Sequence, residues 1–188
     1  MAVAKTELTK KALAESLKSI MRTSPFAKIS VDEICEAAGV SRRNFYRHFP
    51  DKYELLNWIY DKEFCSAIHG RCFPRTLDIL PPVCAHLYKD RAFYLNAFDV
   101  RGQNSFRDFC AARLYCYMEK DYGCAFNSQS EEHFYLDRII DAVFDAFQLW
   151  LKSEPCVPAE DFSKAMIDSI TRFAKVFNDV AASECQNE

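Results

Sequence analysis

Apolar residues return every three or four positions along most of this chain, and no strand-length run alternates apolar with polar. Leu8, Ala12, Leu13, Leu17, Ile20 and Met21 share one face of a helix predicted over residues 6–23. The stretch "TSPF" stops it, because Pro25 biases Ser24 away from helical backbone. Ser30 and Glu33 then form an S-x-x-E capping box opening a second helix, whose buried stripe is Val31, Ile34, Cys35 and Ala38. Gly39 stands where a residue of positive φ ends a helix. Ser41 is placed to cap a third helix over 42–48, which Pro50 ends. Asp51 and Glu54 repeat the capping arrangement for a fourth, predicted to run to about residue 71.

Further along, the pattern predicts a helix begun or interrupted at Pro81–Pro82, a short one over 91–98 and a longer one over 103–122. A helix over 131–152 has Ser130 as its cap, and a last one follows Pro155 and Pro158 over 159–183. The first of these two is apolar over a wide arc that includes Ile139, Val143, Phe147 and Trp150. On the second, Met166, Ile170, Phe173, Phe177 and Val180 are spaced 4, 3, 4, 3, a seam suited to helix pairing. One stripe suffices for a helix in a bundle, so this breadth implies a homodimer interface through Phe147, Met166, Ile170, Phe173 and Phe177. Burial in a monomeric core is the other reading. The fold class is all-α: a three-helix, helix-turn-helix domain over 1–60, then a helical bundle over 61–188 with a two-helix dimerisation face.

Composition narrows the setting. Hydrophobic residues make up 49% and aromatics 14%, which supplies a substantial core. No segment resembles a signal peptide or reaches membrane-spanning length, so a soluble, cytoplasmic protein without a membrane partner is expected. The 9 cysteines form no CxxC pairs, which argues against a disulfide framework. No phosphate-binding glycine loop, nucleophile elbow or H-E-x-x-H motif is present, so neither an enzyme nor a cofactor is expected.

The net charge of −3 hides a split. Residues 1–60 carry 10 Lys and Arg against 7 Asp and Glu, and the remainder carries 14 against 20. Arg42, Arg43, Arg47 and Lys52 concentrate the basic part on the third helix and just beyond it. A helix, a glycine turn and a second helix make the geometry that lays a helix in the DNA major groove. Phe45 and Phe49 anchor that helix, while Arg42, Arg43, Tyr46 and Arg47 turn outward. Arginine forks onto guanine, and tyrosine packs on thymine or reaches a phosphate.

The stretch "SVDEICEAAGVSRRNFYRHFPDKYELL" resembles the DNA-binding domain of TetR-type bacterial regulators, S/T-V-x-x-I-x-x-x-A-G-V-S-x-x-x-F/L-Y-x-x-F-x-x-K-x-x-L, from Ser30 through Leu55. Arg43 stands where that family often has Gly, and Asn44 where it usually has Thr, so the DNA-facing surface differs. The resemblance implies that Arg42, Arg43, Tyr46 and Arg47 face base edges and that Ser30, Asn44, His48 and Lys52 contact the DNA backbone. It also implies dimerisation through two C-terminal helices and a small-molecule effector of unknown identity. "RAFYLNAFDVRGQNSFRDF" is similar to a subgroup of these regulators that includes activators of dihydroxyacetone kinase operons, from which no ligand follows.

Candidate effector contacts are Tyr94, Phe98, Gln103, Phe106, Phe109, Tyr117 and His133, since ligand pockets are mostly apolar with a few placed polar groups. Core packing competes at each. Cys65, His69 and Cys72, at i, i+4 and i+7, form a soft-ligand triplet that would suit zinc, with Cys84 or His86 as a further donor. Two buried thiols beside an incidental imidazole are the preferred reading, so no metal is expected. The sequence therefore reads as a dimeric, double-stranded-DNA-binding regulator with a roughly palindromic operator. Its alternatives are a ligand-binding or interaction protein whose helix-turn-helix no longer binds DNA, and a metal- or thiol-responsive regulator.

Overall fold

The computed structural model describes residues 2–64, 73–102, 105–122 and 128–184. Among these the chain forms nine α-helices and no strand. The amino-terminal part comprises α1 (Ala2–Met21), α2 (Val31–Ala38), α3 (Arg42–Tyr46) and α4 (Lys52–Ile59). The body comprises α5 (Leu80–Lys89), α6 (Arg91–Phe98), α7 (Phe106–Tyr122), α8 (Gln129–Lys152) and α9 (Ala159–Glu184).

The local signals operate as expected in α2 to α4. The Ser30 amide donates to the Glu33 carboxylate at 2.7 Å, and the Glu33 amide donates back to Ser30 Oγ at 3.2 Å. Gly39 has φ 63°, where an L side chain is strained, and closes α2. Asp51 Oδ1 accepts from the amides of Tyr53 and Glu54.

Helix boundaries differ from the expectation at several places, α1 spanning Ala2–Met21 and α3 ending at Tyr46. Helix α4 gives way to a π turn over Tyr60–Phe64, and residues 65–72 lie outside the described residues. Helix α7 starts at Phe106, with Ser105 Oγ accepting from the Asp108 amide at 3.0 Å. Ser130 lies inside the first turn of α8; the Glu132 amide donates to the carbonyl of Ser128, which takes the cap position instead.

One hydrophobic core runs from Leu13 to Leu151 without a break at residue 60. Tyr60 is fully buried and packs on Phe93, Phe106 and Phe109 of the body. Helix α9 lies along α5, and a stack of Trp150 on Phe162 at 4.3 Å closes the corner between α8 and α9. Arg91 fastens the start of α6 to the end of α8 through the carbonyls of Leu151 and Ser153.

Charge fastens α1 to the body. Lys18 is buried and bonds Glu63 at 2.5 Å, with Asp90 at 3.3 Å, while Arg22 grips both oxygens of Asp90 at 2.9 and 2.8 Å. Asn96 adds a bond to the carbonyl of Met21. Burial disfavours the Asp90 charge, but Arg22 and Lys18 outweigh it and hold its carboxyl below the usual carboxylate range. A depressed acid contributes stability above its unfolded pKa of about 4, and that stability is lost as pH falls through the folded value. Asp90→Asn is therefore expected to destabilise the protein by about 1–3 kcal/mol at neutral pH and to flatten the loss of thermal stability below about pH 4, as measured by melting across pH.

Candidate nucleic-acid interface

Helix α3 has only five residues, so its orientation comes from its ends and one buried face. Ser41 Oγ accepts from the Asn44 amide at 3.3 Å. Phe45 is fully buried and Phe49 nearly so, with Phe49 edge-on to Trp58 of α4. These contacts leave Arg42, Arg43, Tyr46 and Arg47 exposed together. Asn44 and His48 are half-buried on the flanks.

The exposed residues are not equivalent. The side chains of Arg43 and Arg47 make no hydrogen bond or ion pair with the described residues. Arg42 Nη1 donates to both carboxylate oxygens of Asp32 on α2, at 2.7 and 2.6 Å, and its Nη2 donates to the Tyr46 hydroxyl at 3.3 Å. Its guanidinium also lies 5.8 Å from the Tyr46 ring centre. The bond to Asp32 holds Arg42 firmly protonated. Asp32 is the residue that sequence reasoning missed; its side chain comes back beside Arg42 only once α2 and α3 pack.

Two of the expected DNA-backbone contacts already have partners within the chain. Lys52 Nζ donates to the carbonyls of Phe26, Ala27 and Ile29, at 2.9, 3.4 and 2.7 Å, and sits 4.6 Å from the Phe26 ring centre. All three of its protons are thereby committed to the 3-10 turn Phe26–Lys28 and its C-cap Ile29, the Phe26 carbonyl also accepting from the Ile29 amide. Partial burial lowers the pKa of its ammonium. The Ser30 hydroxyl is likewise committed, donating to Glu33 at 2.7 Å.

In the body, a cavity of about 430 Å³ opens among α5, α7, α8 and α9. Of the expected effector contacts among the described residues, only Phe106 lines it. Tyr94 is buried and shares a 2.6 Å hydrogen bond with His86 Nε2. Phe98 packs on Phe106 and Phe144, and Phe109 lies beneath the Arg113 guanidinium at 3.6 Å. Tyr117 is half-buried, His133 is exposed, and Gln103 lies outside the described residues.

The cavity is instead lined by Phe147, Met166, Ile170 and Phe173, which the helical spacing assigned to a dimer face. Phe147 is 3% exposed and packs on Phe144 and Phe162 of its own chain, so it is a core residue. Met166 and Ile170 are half-buried against the core, and Phe173 is 66% exposed. The Phe177 side chain is outside the described residues, as are Cys65, His69 and Cys72. Among the described residues no cluster of His, Cys, Asp and Glu has metal-binding geometry. Burial pushes the Cys84 thiol up to about 12, which leaves it protonated and unreactive at neutral pH.

Asp32→Asn is expected to release Arg42 and tighten DNA binding about 2–5-fold, the scale of an exposed ion pair, read by fluorescence anisotropy. Lys52→Met is expected to lower thermal stability by about 1–2 kcal/mol through the loss of its hydrogen bonds to the carbonyls of Phe26, Ala27 and Ile29. An unchanged melting temperature with weakened DNA binding would instead make Lys52 a phosphate contact.

The family model for bacterial regulatory proteins of the tetR family matches residues 19–59, which span the end of α1 through α4. The HTH-type dhaKLM operon transcriptional activator DhaS of Lactococcus lactis subsp. lactis (strain IL1403) is 34% identical over 65 residues, 35% of each chain. The HTH-type transcriptional regulator EthR of Mycolicibacterium smegmatis (strain ATCC 700084 / mc(2)155) is 38% identical over 70 residues, 37% of this chain and 31% of that one. The matched stretch thus spans about a third of the length of these curated relatives. The solved structure of a dihydroxyacetone kinase operon activator DhaS superposes over 89% of this chain and 97% of its own, with a TM-score of 0.63 and 20% identity. A TetR transcriptional regulator from Streptococcus agalactiae 2603V superposes over 90% and 97%, with a TM-score of 0.63 and 18% identity. No described helix is long and apolar enough to cross a membrane. The amino-terminal stretch 19–59 is thus similar to bacterial regulatory proteins of the tetR family, and the chain shares the fold of the two solved structures.

Proposed function

We propose that the protein is a homodimeric transcription regulator that reads a roughly palindromic operator with α3 and is controlled by a small molecule bound in its body. The observation that carries this reading is the unpaired, exposed state of Arg43 and Arg47 beside Tyr46, on a helix held from beneath by Phe45 and Phe49. A basic, unsatisfied helix face fixed at this angle fits a groove lined with base-edge acceptors and flanked by phosphates. Two copies related by a two-fold axis would set their α3 helices about 34–36 Å apart.

The dimer face that fits best is the outer stripe of α8 and α9. Tyr135, Ile139 and Leu149 are 48%, 43% and 71% exposed, and Val176 is 57% exposed beside Phe173 on α9. Ala142 and Ala146 lie between Ile139 and Leu149 on the same side of α8, which favours close helix approach. Control by a ligand requires different affinity for two arrangements of the DNA-reading helices. The contact that supports such coupling is Phe106, which lines the cavity and lies 4.7 Å, ring to ring, from Tyr60 at the end of α4.

Fluorescence anisotropy with DNA from upstream of the gene and its neighbours, at two salt concentrations, tests the reading. Tight, sequence-dependent binding that weakens steeply with salt is expected. Arg43→Ala and Tyr46→Ala should each weaken it about tenfold or more, at roughly 1–3 kcal/mol per lost base contact. Weak binding that is equal on all sequences and indifferent to both variants would favour an interaction protein whose helix-turn-helix has lost DNA.

A further inference from the structure

The cavity in the body has a composition that selects its occupant. Its floor is made by Leu87, Phe106 and Ile140, each no more than 1% exposed, and its volume falls within the range of small-molecule sites. Among the described lining residues none is charged, and the one polar side chain, Thr76, is already committed. Its hydroxyl donates to the carbonyl of Tyr117 at 3.0 Å, and its amide donates to Asp121. A carboxylate, phosphate or polyol entering this space would give up its hydration and find no partner.

We propose that the cavity binds an uncharged, predominantly apolar small molecule, which is the effector. The assignment rests on the reading of the protein as an effector-controlled regulator and specifies the ligand's chemistry. The molecule enters between α8 and α9, past Ile139 and Phe173, whose exposed faces belong to the stripe assigned to the partner copy. A second copy seated on that stripe closes the mouth without reaching the floor, so ligand exchange slows in the dimer.

The test uses the uncharged fluorophore N-phenyl-1-naphthylamine, titrated into the full chain. Saturable binding of one probe per chain is expected, with displacement by 1-decanol at concentrations at least tenfold below those needed with decanoate. Leu114→Trp places a larger ring in the cavity from α7, away from the dimer stripe, and should cost at least tenfold in probe affinity while the melting transition is retained. If that variant does not fold, the displacement series decides alone. Equal displacement by decanoate, no probe binding, or full affinity in folded Leu114→Trp would overturn the assignment. So would affinity that falls as dimers form, because the partner's side chains would then occupy the cavity. Anisotropy on the same samples separates the two readings. Sequence-dependent DNA binding without probe binding removes the ligand assignment and leaves the regulator. Probe binding without DNA binding leaves the ligand site and removes the regulator.

Discussion

The fold depends on the neutralisation of one buried ammonium. Lys18 lies on the apolar side of α1, where an unpaired charge would cost several kcal/mol, and it is tolerated only because Glu63 and Asp90 meet it there. The two acids come from different parts of the chain, the π turn after α4 and the junction of α5 with α6. Satisfying Lys18 therefore brings three segments together. Once α1 is seated, α2 and α4 have a surface to pack on, and α3 follows from both. Helix α3, held by its own cap and buried face, thus sits on a framework that a polar contact deep in the molecule helps to fasten.

What was legible in the sequence is what neighbours in sequence decide. The Ser30–Glu33 box, the Gly39 turn and the Ser41 and Asp51 caps involve partners three or four residues apart, and each was readable from residue type alone. The roles of Lys52 and Arg42 were not. Lys52 reaches carbonyls more than twenty residues away, and Arg42 finds Asp32 only after two helices pack. A basic side chain drawn in sequence looks free; whether it is free depends on which acceptors the fold carries to it.

The body shows the same limit in apolar form. The spacing on α9 marked Met166, Ile170 and Phe173 as an interacting seam, and within the chain they line a cavity on a helix that packs along α5. Periodicity reports which side of a helix avoids water and says nothing about what replaces the water. Leu77, Val83 and Leu114 carried no mark to distinguish a cavity wall from ordinary core, because empty space has no residue of its own. The aromatic residues singled out as ligand contacts mostly do the opposite work, filling the interior around Tyr60 and Phe106.

If α3 reads DNA as proposed, the Arg42–Asp32 pair bears on selectivity. A guanidinium already resting on a carboxylate gains little by moving to a lone phosphate, since one anion merely replaces another. It gains more where a guanine offers two acceptors in the plane and spacing that the guanidinium matches. In the proposed regulator, Asp32 would therefore subtract from attraction to any DNA more than from attraction to the right base. On a chain whose overall charge is already negative, the acid would act as a filter, trading strength of grip for the difference between one sequence and the next.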